Sequence, residues 1–213
     1  MSSTNRSNAR DNHISDYYVT PISDIELFLK NFNEHVKIEW NEINILDPCA
    51  GGNKEVKDEH GIKEMYHAMS YPTAINNIYG KCNITTMDIR EDSLAEHCAD
   101  YLETELENKP NLIITNPPFA SAIKIIEKAL SDVENDGYVI MLLRLNFFGS
   151  KDRKKFFEKY MPEWCFVHHV RIGFCDKKDK DGYVMFDKNG NAKHGSTDSI
   201  EYAHFVFRKK PQP

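Results

Sequence analysis

Short apolar runs, each halted by a polar or proline-containing turn, recur along the chain with helix-patterned segments between them. This alternation restricts the available folds more than any other feature. Residues 43–46 stop at Asp47-Pro48, the β-branched run 83–87 stops at Asp88, and 112–115 stops at Asn116-Pro117-Pro118. A further run, 138–143, follows the turn residue Gly137, and 165–172 and 200–207 read as two more strands. The last alternates apolar and polar residues, as a strand at a sheet edge does. Between the runs lie segments with helical spacing. One covers 22–32, with Ser23 or Asp24 as N-cap, and another covers 72–79, with Pro72 in its first turn and Gly80 at its end. The pattern predicts further helices from Asp92 or Ser93 to about 107, over 120–130, and over the basic stretch 150–160. Residues 53–69 read as polar and irregular, and 174–198 as a loop or hairpin excursion. Strands separated by helices imply an α/β fold built on a parallel sheet with right-handed crossovers. In such sheets ligands bind beyond the carboxyl ends of the strands.

Composition narrows the function classes. With 40% apolar and 28% charged residues over 213 positions, the chain has the profile of a soluble globular protein that buries its own core. No window approaches the roughly 18 apolar residues a membrane span needs. The first 14 residues are polar and read as a disordered tail ahead of one domain over 15–213. They lack the apolar stretch of a secretory signal. Five cysteines at unrelated spacings, without a CxxC pair, argue against a disulfide framework or a zinc site. A cytoplasmic location is the expectation. The formal charge of −6 is unevenly spread. Residues 1–149 hold 13 Lys and Arg against 24 Asp and Glu, whereas 150–213 hold 14 against 9 and four histidines. An acidic body with a basic final part hints at a polyanion-facing half.

The strand ends carry the chemistry. At the first, Asp47-Pro48-Cys49-Ala50-Gly51-Gly52 lets a ligand approach the backbone closely, and it is neither GxGxxG nor a Walker loop. Asp88 ends the next strand, where a carboxylate can accept from two ribose hydroxyls. Asp92 is the better N-cap for the helix expected there, which leaves Asp88 for a ligand. Asn116-Pro117-Pro118-Phe119 is the most informative. Two prolines forbid further ladder pairing and fix the backbone, giving a corner rich in acceptors beside an aromatic face. That corner suits an exocyclic amine on a planar heterocycle.

These residues resemble the motifs of S-adenosylmethionine-dependent adenine-N6 DNA methyltransferases. Asp47 to Gly52 is similar to motif I and Asn116 to Phe119 to motif IV. Tyr17-Tyr18-Val19-Thr20-Pro21 resembles the N-terminal cofactor motif X, and Asp100-Tyr101-Leu102 the motif III that contacts the cofactor adenine. The order X, I, IV with the basic segment last is similar to the gamma class, over about residues 17–145. The resemblance implies a class I Rossmann-like sheet, mostly parallel with an antiparallel last strand and helices on both faces. It implies S-adenosylmethionine as cofactor, held by Tyr18, Thr20, Pro21, Asp47, Pro48, Ala50, Gly51, Gly52, Asp88 and Asp100. Asn116 and Pro117 would accept from the target N6 amine, Pro118 would fix the turn, and Phe119 would stack on a base flipped out of the duplex. Where family members often keep a further glycine, this chain has Asn53, and a long polar stretch follows.

DNA contacts are expected from Lys151, Arg153 and Lys154 on the basic helix, from Arg171, and from Lys177 and Lys178 in the excursion. The excursion also carries Asp176, Asp179, Asp181 and Asp187, which fits a solvated loop equally well. At this length no separate recognition domain fits. A second copy of the chain or an accessory subunit is then the remaining source of recognition surface. RNA and protein-glutamine methyltransferases also use Asn-Pro-Pro turns, usually followed by Tyr, and N4-cytosine enzymes usually carry Ser in place of Asn. A catalytically silent, nucleic-acid-binding relative is the reading from another class. Intact Asp47, Asp88 and Asn116 argue against it.

Overall fold

The computed structural model describes residues 18–58, 60–174, 185, 186, 188, 193 and 200–210. The elements run α1 (Ile22–His35), β1 (Asn44–Asp47), β2 (Asn53–Asp58), β3 (Gly61–His67), α2 (Ser70–Tyr79), β4 (Asn83–Asp88) and β5 (His97–Cys98). There follow β6 (Leu112–Thr115), α3 (Ala122–Asp132), β7 (Tyr138–Arg144), α4 (Lys154–Lys159), β8 (Trp164–Val167) and β9 (Tyr202–Arg208). Seven strands form one sheet in the order β5-β4-β1-β6-β7-β9-β8. All neighbours are parallel except β9, which is antiparallel to both β7 and β8. No helix among the described residues is long and apolar enough to cross a membrane.

Strand alternation divides the core between the two sheet faces. Ile45, Leu112, Ile114, Ile140 and Val206 meet Ile25, Phe28, Leu29 and Phe32 of α1 and Ala74 and Ile75 of α2. Leu46, Ile113, Val139, Met141 and Phe205 meet Ile125, Ile126 and Ala129 of α3 and Phe156 and Phe157 of α4. The helices therefore lie on both faces, and the polar strand ends collect along one edge.

Several local expectations are corrected. Residues 93–107 do not form a helix. Their amides bond to the sheet and the glycine loop instead: Leu94 N–H donates to Gly51 O, Glu96 N–H to the Thr86 hydroxyl, and Ala99 N–H to Asp88 O. A two-residue strand and a 3-10 turn over Tyr101–Glu103 replace it, so Asp92 caps nothing and instead pairs with Arg90 at 2.9 Å. In place of an irregular stretch, β2 and β3 pair antiparallel and form their own two-stranded sheet. Pro21, not Ser23 or Asp24, precedes the first turn of α1, and its carbonyl accepts from the amides of Asp24 and Ile25. A 3-10 turn over Lys151–Arg153 shortens the basic helix to α4. Strand β8 stops at Val167, so His168 and His169 lie beyond it rather than in a strand. Strand β9 is internal and buried on both faces as far as Phe207; β8 is the edge.

Candidate active site

The register places the functional ends side by side. Asp47 pairs with Thr86 across β1 and β4, Leu46 with Ile113 across β1 and β6, and Thr115 with Met141 across β6 and β7. Asp100 follows β5, the Asp47–Gly52 loop follows β1, Asp88 ends β4, and Asn116–Phe119 follows β6. Because all four strands are parallel, these groups share one edge. The antiparallel β9 brings its first residue, Tyr202, opposite Arg144 at the same edge.

The glycine loop is tightly tied down. Ala50 N–H donates to Met87 O at 2.9 Å, and Gly51 N–H donates to Asp88 Oδ2 at 2.8 Å. Gly51 and Gly52 have φ of 66° and 73°, in the left-handed region that favours glycine. A Cβ on Gly52 would lie 2.9 Å from both the His67 carbonyl oxygen and Leu94 Cδ1. Gly52 is thus pressed between β3 and Leu94, where a side chain has no room. Asp88 Oδ1 accepts from Arg90 N–H at 2.8 Å. Each Asp88 oxygen already holds one amide, so a ligand hydroxyl would use the remaining lone pairs. The sequence reading had left this carboxylate unengaged.

Asp47 is fully buried. Its Oδ1 accepts from Cys49 N–H at 3.2 Å, while Oδ2 has no hydrogen-bond partner. Desolvation raises its pKa from 3.8 to about 7, against the lowering effect of the Thr115 hydroxyl and the Cys49 amide. Burial likewise pushes the Cys49 thiol upward, with Asp47 and Asp88 adding to the effect, so Cys49 is not an activated nucleophile. Asp100 accepts from Leu102 N–H at 2.9 Å and so caps the 3-10 turn.

At the third strand end, Asn116 Nδ2 donates to the Thr20 hydroxyl at 3.1 Å and reaches the Tyr18 carbonyl at 3.5 Å. Asn116 Oδ1 is buried and has no hydrogen-bond partner. The segment before α1 therefore joins the site, and Thr20 is almost wholly buried there. Phe119 stands in an aromatic wall, with ring centroids 6.3 Å from Tyr18 and 5.9 Å from Tyr202. Phe174 packs 5.4 Å from Tyr18 and 4.9 Å from Tyr202. The Arg144 guanidinium sits 4.5 Å over the Phe119 ring, and its Nε is buried without a partner. Arg144, Tyr202 and Phe174 were absent from the sequence-derived site. The Arg that ends the apolar run 138–143 was the available signal for the first; Tyr202 reaches the edge through the antiparallel β9, and Phe174 through the segment that follows β8.

The expected DNA contacts are dispersed. Lys151 and Lys154 are exposed, Lys154 pairing with Glu158 at 3.6 Å, and Arg171 pairs with Glu201 at 3.1 Å. Arg153 lies 4.5 Å over the Phe147 ring. Lys151, Arg153 and Lys154 follow β7, and Arg171 follows β8, which runs parallel to β7. Topology thus puts all four beyond the same edge as the strand-end cluster. Lys177 and Lys178, most of the excursion, the N-terminal tail and Tyr17 lie outside the described residues.

No family profile matches the chain, and no curated protein matches it in sequence. Solved structures do match it in shape. A protein assigned as an RNA methyltransferase from Pyrococcus horikoshii superposes with a TM-score of 0.56 at 12% identity, over 92% of this chain and 88% of its own. One assigned as a class I S-adenosylmethionine-dependent methyltransferase from Listeria monocytogenes gives 0.54 at 14% identity, over 91% of this chain and 61% of the other. An S-adenosylmethionine-dependent O-methyltransferase from Thermotoga maritima gives 0.50 at 12% identity, over 90% and 65%. This chain thus spans less than two thirds of the Listeria and Thermotoga chains. The likeness, together with the strand order and the antiparallel β9, establishes that the chain has the Rossmann-like fold of class I methyltransferases.

Proposed function

We propose that this protein transfers a methyl group from S-adenosylmethionine to the N6 amine of adenine in DNA. The observation that carries the reading is Asn116, whose amide nitrogen is held by Thr20 and Tyr18 while its oxygen is buried and unpaired. A buried acceptor without a donor costs about 1–3 kcal/mol, which a ligand N–H would offset. The neighbouring Pro117 and Pro118 have no N–H to supply.

The cofactor fits the chain's own groups. The glycine loop follows β1, and Asp88 and Asp100 lie at the adjacent strand ends. When bound, S-adenosylmethionine would supply a methyl group on a positively charged sulfur. Asn116 Oδ1 and the Pro117 carbonyl accept the two N–H bonds of the target amine. That contact draws the nitrogen lone pair out of conjugation with the ring and orients it. The lone pair would take the methyl group as the carbon–sulfur bond breaks with its electrons staying on sulfur as a neutral thioether, and one N–H proton would pass to solvent. Phe119 offers a ring to an extruded base. The basic residues beyond this edge would contact phosphates. Their exposed ion pairs with Glu158 and Glu201 contribute little and exchange readily for phosphate contacts.

Incubation with methyl-labelled cofactor and a mixed set of DNA, RNA and protein, followed by nucleoside mass analysis, tests the reading. Label in N6-methyladenine of DNA is expected. Label in RNA adenine alone would change the substrate, which the Pyrococcus neighbour's description makes the next reading to separate. Label only in protein would end the proposal.

A further inference from the structure

We infer that Thr20 is a positioning residue for the catalytic acceptor, fixing the Asn116 amide so that its oxygen faces the substrate. The inference rests on the proposed function and assigns Thr20 a role beyond cofactor binding. An asparagine side chain offers an acceptor on one side and donors on the other, and its last torsion is nearly two-fold. Reversal would put an N–H₂ where the reaction needs an acceptor, facing the amine with donors. Something in the protein must choose.

Two groups of the segment preceding α1 meet the amide nitrogen. The Thr20 hydroxyl lies 3.1 Å from Nδ2 and the Tyr18 carbonyl 3.5 Å. A hydroxyl can donate or accept, so it would tolerate either orientation of the amide. A carbonyl can only accept, so Tyr18 decides which end faces this segment. Its contact is long, and the shorter bond from Thr20 keeps the amide within its reach. Thr20 is 2% exposed, so water does not readily substitute for the hydroxyl. With Nδ2 clamped on this side, Oδ1 is left buried and unpaired on the other. The clamp joins a segment at one end of the chain to a turn 96 residues away.

Thr20→Val keeps the side-chain shape and removes the hydroxyl. The expected result is a fall in kcat for adenine methylation of roughly ten- to a hundredfold, the scale of a misplaced reacting group. Cofactor affinity by calorimetry, in the wild type and in an Asn116→Ala background, should fall by a smaller factor than kcat does. Thr20→Ser should restore kcat to within about threefold. In ¹⁵N-edited spectra, the Asn116 side-chain amide should exchange faster with water in the valine variant and return to wild-type behaviour in the serine variant. Wild-type kcat in Thr20→Val with an unchanged Asn116 amide signal would overturn the clamp. So would a loss of cofactor affinity with kcat intact, which would make Thr20 a cofactor contact only. If wild-type protein methylates no adenine substrate, the proposed function itself fails and the clamp falls with it. The two failures are therefore told apart by the wild-type reaction.

Discussion

Replacing Asp47 by Asn should change how the protein's stability depends on pH, by an amount the structure supplies. In the folded state Asp47 is fully buried and holds its proton up to about pH 7, while in the unfolded chain it releases it near 3.8. Between those values the folded state binds the extra proton, so wild-type stability falls as pH rises through this window. Each pH unit of displacement corresponds to about 1.4 kcal/mol, giving roughly 4 kcal/mol across the whole window. Asparagine has the same shape and does not titrate. Stability of Asp47→Asn minus that of wild type should therefore rise by about 3–4 kcal/mol between pH 4.5 and pH 8. The offset at pH 4.5 reflects the fit of the amide near Thr115 and does not enter the slope. Urea denaturation of both proteins at four pH values across the range provides the comparison. Other titrating groups cancel in the difference. A flat difference, within about 0.5 kcal/mol, would mean that Asp47 is ionised in the folded protein at neutral pH and that burial does not dominate its environment.

Gly52→Ala places a methyl group 2.9 Å from the His67 carbonyl at a φ of 73°, so it should destabilise by about 2–4 kcal/mol; an unchanged thermal midpoint would refute the close approach. Burial lowers the pKa of His204, and of its hydrogen-bonded neighbour His168 at 2.8 Å, below the usual 6.5. Their contribution is present above pH 6.5 and lost as pH falls, so His204→Gln should lose less stability than wild type between pH 7.5 and 5 in denaturation experiments. Asn116→Ala should abolish methyl transfer while calorimetric cofactor binding survives; transfer in that variant would remove the assigned acceptor. Asp88→Ala deprives Gly51 N–H of its acceptor and should weaken cofactor binding by about 1–3 kcal/mol, and an unaltered affinity would exclude Asp88 from the site.

The strands β1, β4, β6 and β7 were legible because each is short, apolar and bounded by Asp, Pro or Gly, which leaves no competing pattern. The same holds for Asp47, Asp88 and Asn116, since strand ends in a parallel sheet fall on one edge whatever the loops do. Legibility failed where partners distant in sequence decide the local conformation. Residues 93–107 have adequate helical composition, but their amides find acceptors in Gly51, Thr86 and Asp88. Strand β9 alternates Tyr202, His204 and Val206 with Ala203, Phe205 and Phe207, a pattern that reads as a sheet edge. Instead His204 stacks on Phe28 at 3.9 Å and bonds the Tyr71 hydroxyl at 2.9 Å, so a polar residue is buried. The Thr20–Asn116 contact joins residues 96 apart and leaves no trace in any local window.

The position of β9 between β7 and β8 also sets an order of assembly. Strand β8 meets the sheet only through β9, and β9 follows β8 by more than 30 residues. Until that long loop closes, β8 has no ladder to join, and the far side of β7 exposes unpaired amides and carbonyls. The half of the sheet that carries Asp47, Asp88 and Asn116 pairs through β1, β4 and β6, and none of those ladders involves β9. Arg144 and the aromatic wall of Phe119, Phe174 and Tyr202 wait for the late strand. Pairing of β9 with β7 is thus what brings Tyr202 against Phe119 and Phe174 and completes the substrate side of the edge.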